Sequence, residues 1–203
     1  MISNITRAIK YWFKASLKPR EVIEEFQSDP HKVAVSFWIT FLFALLYSIT
    51  PYLLYRSHIL PVIPPWMPID IEKYYLYQPF WTIPWGLATW IMISGISHLL
   101  SIAGKKDISK YEFEDALVVC SVGWVVPSFY LMWLPETLLV PLFGEFWPAW
   151  LNMLRVMVLP IIWQTLLIAI GLRKTYDVNW IKGIGIGLLT VIVCFIMFLA
   201  FMR

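Results

Sequence analysis

Few side chains able to do chemistry fall within the long apolar stretches of this sequence. They are His98, Gln164 and Arg155, with Glu136 and Glu145 at the edges of two stretches. Ionisable groups at membrane depth are costly and mark function by default. Arg155 stands about 6 Å into its stretch by helical rise. Its guanidinium can therefore reach outward or pair with either glutamate, and a structural ion pair is a simpler reading than a substrate site. His98 precedes the end of its stretch by about a turn, where a packing or capping histidine is a simpler reading than a proton relay. Ser94 and Ser97 supply nucleophile types beside it, but neighbours along one helix do not make a nucleophile and base pair. The sequence has no Gly-x-Ser-x-Gly, His-Glu-x-x-His, phosphate loop or zinc spacing, and Glu24-Glu25 has no second set of metal ligands. No catalytic residue, metal or cofactor is assigned, and nothing points to nucleic acid.

Those residues are held by five apolar segments at 33–55, 83–103, 115–134, 151–172 and 180–202. Each is close to the ~20 helical residues that cross a ~30 Å hydrocarbon core. The composition is 60% hydrophobic and 14% charged, against about 25% charged in soluble domains. Too little polar surface remains for a water-soluble particle. The segments are apolar all round rather than alternating, so helices must satisfy the backbone. The expected fold is all-α: a polytopic five-helix membrane bundle at 33–203, preceded by a basic segment at 1–32. Cys120 and Cys194 fall inside apolar segments and read as small hydrophobes. A cleavable leader is not expected, because the first apolar segment is of full spanning length.

With the N-terminus inside, the inner segments hold 12 of the 16 Lys and Arg residues, leaving Arg56, Lys73, Arg155 and Arg203 outside. That bias over short loops predicts a cytoplasmic N-terminus and an external C-terminus. Proline is skewed the other way, since only Pro19 and Pro30 of 14 lie inside. Pro51, Pro84, Pro127 and Pro160 each remove a backbone donor in or near a span, which predicts bends in four helices. Bends that serve packing are the simpler reading. An outward-facing cavity lined by them, with Arg155, Gln164 and His98, is the basis for an alternative function as a small-solute transporter or channel.

In the first segment Ile2, Ile5, Ile9, Trp12, Phe13 and Leu17 recur at helical spacing, with Arg7, Lys10, Lys14 and Lys18 on another face. This predicts an amphipathic helix lying on the membrane surface. Together with Arg20 these basic residues are candidates for contact with an anionic inner leaflet. Asp29-Pro30 can cap the first span, Ser109 and Glu112 have the spacing of a capping box for the third, and Asp177 or Asn179 can cap the fifth. The segments at 56–82 and 135–150 carry Trp66, Trp81, Trp147 and Trp150 and are expected to be loops against the membrane surface. Ridges of small residues at Ser36, Thr40, Ala44 and Ser48, and at Gly183 and Gly187, suit close helix packing within the chain or in a homo-oligomer.

The order of several local patterns resembles the Yip domain family, membrane proteins named for interaction with Ypt/Rab GTPases. These are Leu17-Lys18-Pro19-Arg20-Glu21 leading to Asp29-Pro30, His98-Leu99-Leu100 running into Gly104, Val122-Gly123 with Pro127, and the segment 163–170 followed by Gly171-Leu172-Arg173. The resemblance implies a five-helix bundle with a cytosolic N-terminus, no enzymatic activity, and, in eukaryotic members, roles in vesicle trafficking, organelle shape and GTPase contacts. The long cytosolic N-terminal region and Asp-Leu-Tyr-Gly-Pro motif of those members have no counterpart here, so GTPase contact is not carried over. The chain looks more like the compact prokaryotic members. It is expected to be a non-enzymatic scaffold or partner adaptor in a prokaryotic cell membrane, or in ER or Golgi membrane if eukaryotic.

Overall fold

The computed structural model describes residues 2–61, 68–143 and 148–201. Two helices come first, α1 (Ile2–Leu17) and α2 (Pro19–Gln27), divided where Pro19 cannot continue α1. The first span is α3 (Lys32–Tyr47) and α4 (Ile49–Arg56), and the second is α5 (Tyr74–Ile102). The third runs from α6 (Phe113–Ser128) through a π-helical turn (Phe129–Trp133) into α7 (Leu134–Phe143). The fourth joins α8 (Ala149–Met153), a second π-turn (Leu154–Val158) and α9 (Leu159–Tyr176), and the fifth is α10 (Trp180–Phe201). Five helical segments are long and apolar enough to cross a membrane, and no strand occurs among the described residues.

The third span is the centre of the bundle. Its most apolar window is 72% buried, against 33–44% for the other four. Every residue from Ala116 to Ser128 is buried, and most are Val, Ala, Ser, Gly or Cys. Such small side chains let neighbouring helices approach on all sides. Against α9 the approach is closest at two glycines. A Cβ on Gly123 would lie 2.6 Å from Ile168 Cγ1, and one on Gly171 2.6 Å from Val119 Cγ1. The other small ridges are also used inside the chain. Gly183 and Gly187 face Ala169 and Thr165 of α9, and Ala44 of the first ridge faces Gly86 of α5.

Three of the four expected proline interruptions are present in different forms. Pro51 follows a break at Ser48, while Pro127 and Pro160 flank the two π-turns. Pro84 instead lies within an unbroken α5, together with Pro79. The helix of the second span therefore begins at Tyr74, well before residue 83, because Tyr74, Tyr75, Gln78 and Thr82 form a buried face that continues the helix. The segment 135–150 is likewise mostly helix, not surface loop. Glu145, Trp66 and Trp147 lie outside the described residues.

Two capping expectations change, the first at α3, which begins only at Lys32, so Asp29 accepts from the His31 amide at 2.8 Å without capping the helix and Pro30 is not in its first turn. Glu112 is extended and caps nothing with its side chain, and Ser109 bonds Asp107 instead, so no capping box forms. Asn179 does cap α10, accepting from the Lys182 amide at 2.8 Å. Asp177 takes the left-handed conformation that ends α9.

Candidate functional site

The sequence placed α1 flat on the membrane surface, but the helix climbs along the side of the bundle. Arg7 and Tyr11 bond Asp29, just before α3 begins. Trp12, next to Tyr11 in the chain, packs edge-on to Phe43 and Phe129, and Ser16, about one turn further on, bonds Tyr130, beyond the midpoint of the third span. The return helix α2 buries Val22, Ile23 and Phe26, with Ile23 in the same apolar cluster as Ala116, Val119, Ile168 and Leu172. Of the residues that sequence periodicity set on the apolar face, Trp12 turns into the bundle. Ala8, Tyr11, Trp12 and Ala15 are buried, whereas Ile2, Ile9, Phe13 and Leu17 project outward.

Charge neutralisation permits this position. Arg7 pairs with Asp29 at 2.9 Å, Lys10 and Lys14 with Glu25, Lys18 with Glu21, and Arg20 with Glu24. Lys174 of α9 also reaches Glu24 and so fastens α2 to the fourth span. All five basic residues considered for lipid contact thus have an acidic partner within the chain. A cationic helix without them would be held at the surface by the cost of charge in hydrocarbon. Lys14 and Lys10 hold the Glu25 carboxyl below the usual carboxylate range, and Lys174 does the same for Glu24. Burial, reinforced by the charges of Asp29 and Glu25, pushes the Tyr11 hydroxyl up to about 12.

Around the same end, a second set of bonds closes the bundle. Tyr176 donates its only hydroxyl proton to the Glu112 carbonyl at 2.9 Å. His98 Nδ1, 2.8 Å from that hydroxyl, must then be the donor in their bond. Tyr176 also stacks on Tyr111, whose hydroxyl accepts from Lys105, and Lys105 reaches the Tyr176 carbonyl as well. His98 is therefore a structural tie between the second and fourth spans. Neither Ser94 nor Ser97 bonds it. Ser94 donates to the Trp90 carbonyl, while Ser97 pairs with Thr190 and accepts from Cys120.

Arg155 serves the opposite end. Pro135 has no N–H and lies four residues after Leu131, leaving that carbonyl without its α-helical donor. Arg155 Nη1 donates to it at 2.9 Å and to the Met132 carbonyl at 3.2 Å, while Nη2 reaches Glu136 at 3.3 Å. The guanidinium thus joins the two π-turns. Trp133 and Trp85 tie helices together as well, donating to the Leu46 and Met197 carbonyls. Gln164 donates to Ser128 at 2.9 Å beside a cavity of about 40 Å³ bordered by Pro160 and Trp124. That volume holds on the order of one or two waters and no solute.

Tyr11, Tyr176 and Trp133 carried no sequence signal beyond their apolar surroundings, although Tyr176 does precede the Asp177 that ends its helix. Among the described residues no cluster of three or more His, Cys, Asp or Glu is placed to hold a metal. The family model described as the Yip1 domain matches residues 14–202, from within α1 to the end of α10. No curated protein and no solved structure matches the chain.

Proposed function

Because the chain belongs to the Yip1 domain family, we propose that it is a non-enzymatic scaffold that organises membrane or a partner protein. The observation that carries this reading is the α1–α2 hairpin. It enters from the end of the bundle that holds the N-terminus, packs beside α3, α6 and α9, and turns Ile2, Ile9, Phe13 and Leu17 outward. With 12 of 16 Lys and Arg on that side, the positive-inside bias makes it the cytoplasmic side. A hairpin laid against the bundle from that side, with an apolar outer face, suits a protein that shapes membrane or presents a partner surface there. The mutually hydrogen-bonded Gln164 and Ser128 beside the small cavity at Pro160 favour this reading over a solute route through the bundle at that level.

Native mass spectrometry of protein gently extracted from its own membrane tests it. A discrete protein partner or a defined oligomer is the expected result. A retained small solute with no bound protein would overturn the proposal in favour of transport.

A further inference from the structure

On the side of α3 bordered by α5 and α6, a lateral groove of about 720 Å³ opens at the membrane boundary of the N-terminal half. Its walls are apolar: Val33, Ala34 and Phe37 of α3, Trp90 and Ile91 of α5, and Phe113 and Leu117 of α6. The Trp90 indole does not face it as a free donor, since it bonds the Leu117 carbonyl at 2.9 Å. Two of the spans begin at this level, at Lys32 and Phe113. The groove therefore descends from the polar boundary into hydrocarbon, where water would find no partners and an acyl chain is the natural filling. Its size lies within the ~300–1,000 Å³ of ligand sites.

Polar groups are confined to the mouth, where His31, Lys32 and Glu114 line the opening. Lys32 is held by Glu112 and Asp115 at 2.8 Å each, and Glu114 lies 4.0 Å away. One ammonium thus faces three carboxylates, and the local charge is negative despite the basic character of this half of the chain. An anionic headgroup would be repelled. A headgroup carrying an ammonium beside its phosphate matches the pattern, with the ammonium on the half-exposed Glu114 carboxylate and the phosphate toward the donors of His31 and Lys32. We propose that this groove is a binding site for one amine-bearing phospholipid of the inner leaflet, held by its acyl chain between α3, α5 and α6 and by its ammonium at Glu114.

The test uses the full chain reconstituted in nanodiscs of equal parts phosphatidylethanolamine, phosphatidylglycerol and phosphatidylcholine, followed by native mass spectrometry. One phosphatidylethanolamine retained per chain, several-fold above its share of the mixture, is expected. Glu114→Lys should shift retention toward phosphatidylglycerol. Ala34→Trp, which fills the groove, should abolish preferential retention while the helical circular dichroism stays unchanged. Should Ala34→Trp fail to fold, the surface change Glu114→Lys still reads the headgroup preference. Lipids retained in the proportions of the mixture, retention of phosphatidylglycerol by the native chain, or a second copy of the chain covering Phe37 and Ile91 would each overturn the proposal.

Discussion

Arg155 shows what a buried charge contributes when its surroundings are built for it. Its side chain is 9% exposed and that of Glu136 18%, and the guanidinium also occupies two carbonyls of a π-turn. Removing one partner leaves the other buried and uncompensated, which costs about 3–5 kcal/mol, whereas replacing both with apolar residues is often near neutral. Arg155→Met alone should therefore lower the thermal midpoint of the detergent-solubilised protein markedly, and Arg155→Met with Glu136→Leu should recover much of the loss. A double variant as unstable as the single would mean that the π-turn carbonyls, not the ion pair, are what Arg155 serves. From the sequence, an ion pair with Glu136 or Glu145 was legible because helical spacing bounds what a guanidinium can touch, but not which of the two. The carbonyl contacts were not, because they depend on where Pro135 and the π-turns leave the backbone without donors.

Helices pack where their smallest residues allow, and the crossing of α6 with α9 depends on Gly123 and Gly171. Gly171→Val would drive a branched side chain into Val119, and overpacking of this kind costs about 1–3 kcal/mol. The same change at Gly185, where a Cβ meets no neighbouring atom within 4 Å, should cost far less. Equal losses of thermal stability at the two positions would show that helix propensity, not the crossing, sets the effect. The hairpin of α1 and α2 is held differently, by charge as well as by packing. The Glu24 and Glu25 carboxyls titrate below their ordinary range when the hairpin is docked. Stabilisation from a lowered carboxylate is complete above the unfolded value and is lost as pH falls through the folded one. Protection of the α1 amides, taken against the intrinsic exchange rate at each pH, should thus be constant from neutral to mildly acidic pH and fall once the pH drops below the ordinary carboxylate range. Unchanged protection in that acidic range would leave packing alone holding the hairpin. Spans were readable because length and hydropathy set them directly. The docking face of α1 was not, since Ala8, Tyr11, Trp12 and Ala15 are no more apolar than Ile2, Ile9, Phe13 and Leu17, and only the shape of the facing helices selects between the two sets.

For the whole molecule the decisive quantity is orientation, because it determines which leaflet receives the hairpin and which compartment meets the Lys105 to Lys110 turn. The positive-inside bias acts on residues near the span ends during insertion, so neutralisation of Arg7, Lys10, Lys14, Lys18 and Arg20 in the folded chain does not remove their influence. Lys105, Lys106, Lys110, Arg173, Lys174 and Lys182 lie at the ends of later spans and point the same way. A single cysteine at Ile108, half exposed in the turn after α5, should therefore react with a membrane-impermeant maleimide only after the cells are opened. A cysteine at Leu60, equally exposed after α4, should react in intact cells. Replacing Cys120 and Cys194 with serine or alanine gives the background, and both are buried, so they should add little signal of their own. The reverse pattern would turn the molecule over, placing the α1–α2 hairpin and the groove below Lys32 in the outer leaflet. The hairpin would then be rooted on the external side, and a cytosolic partner could no longer meet its base.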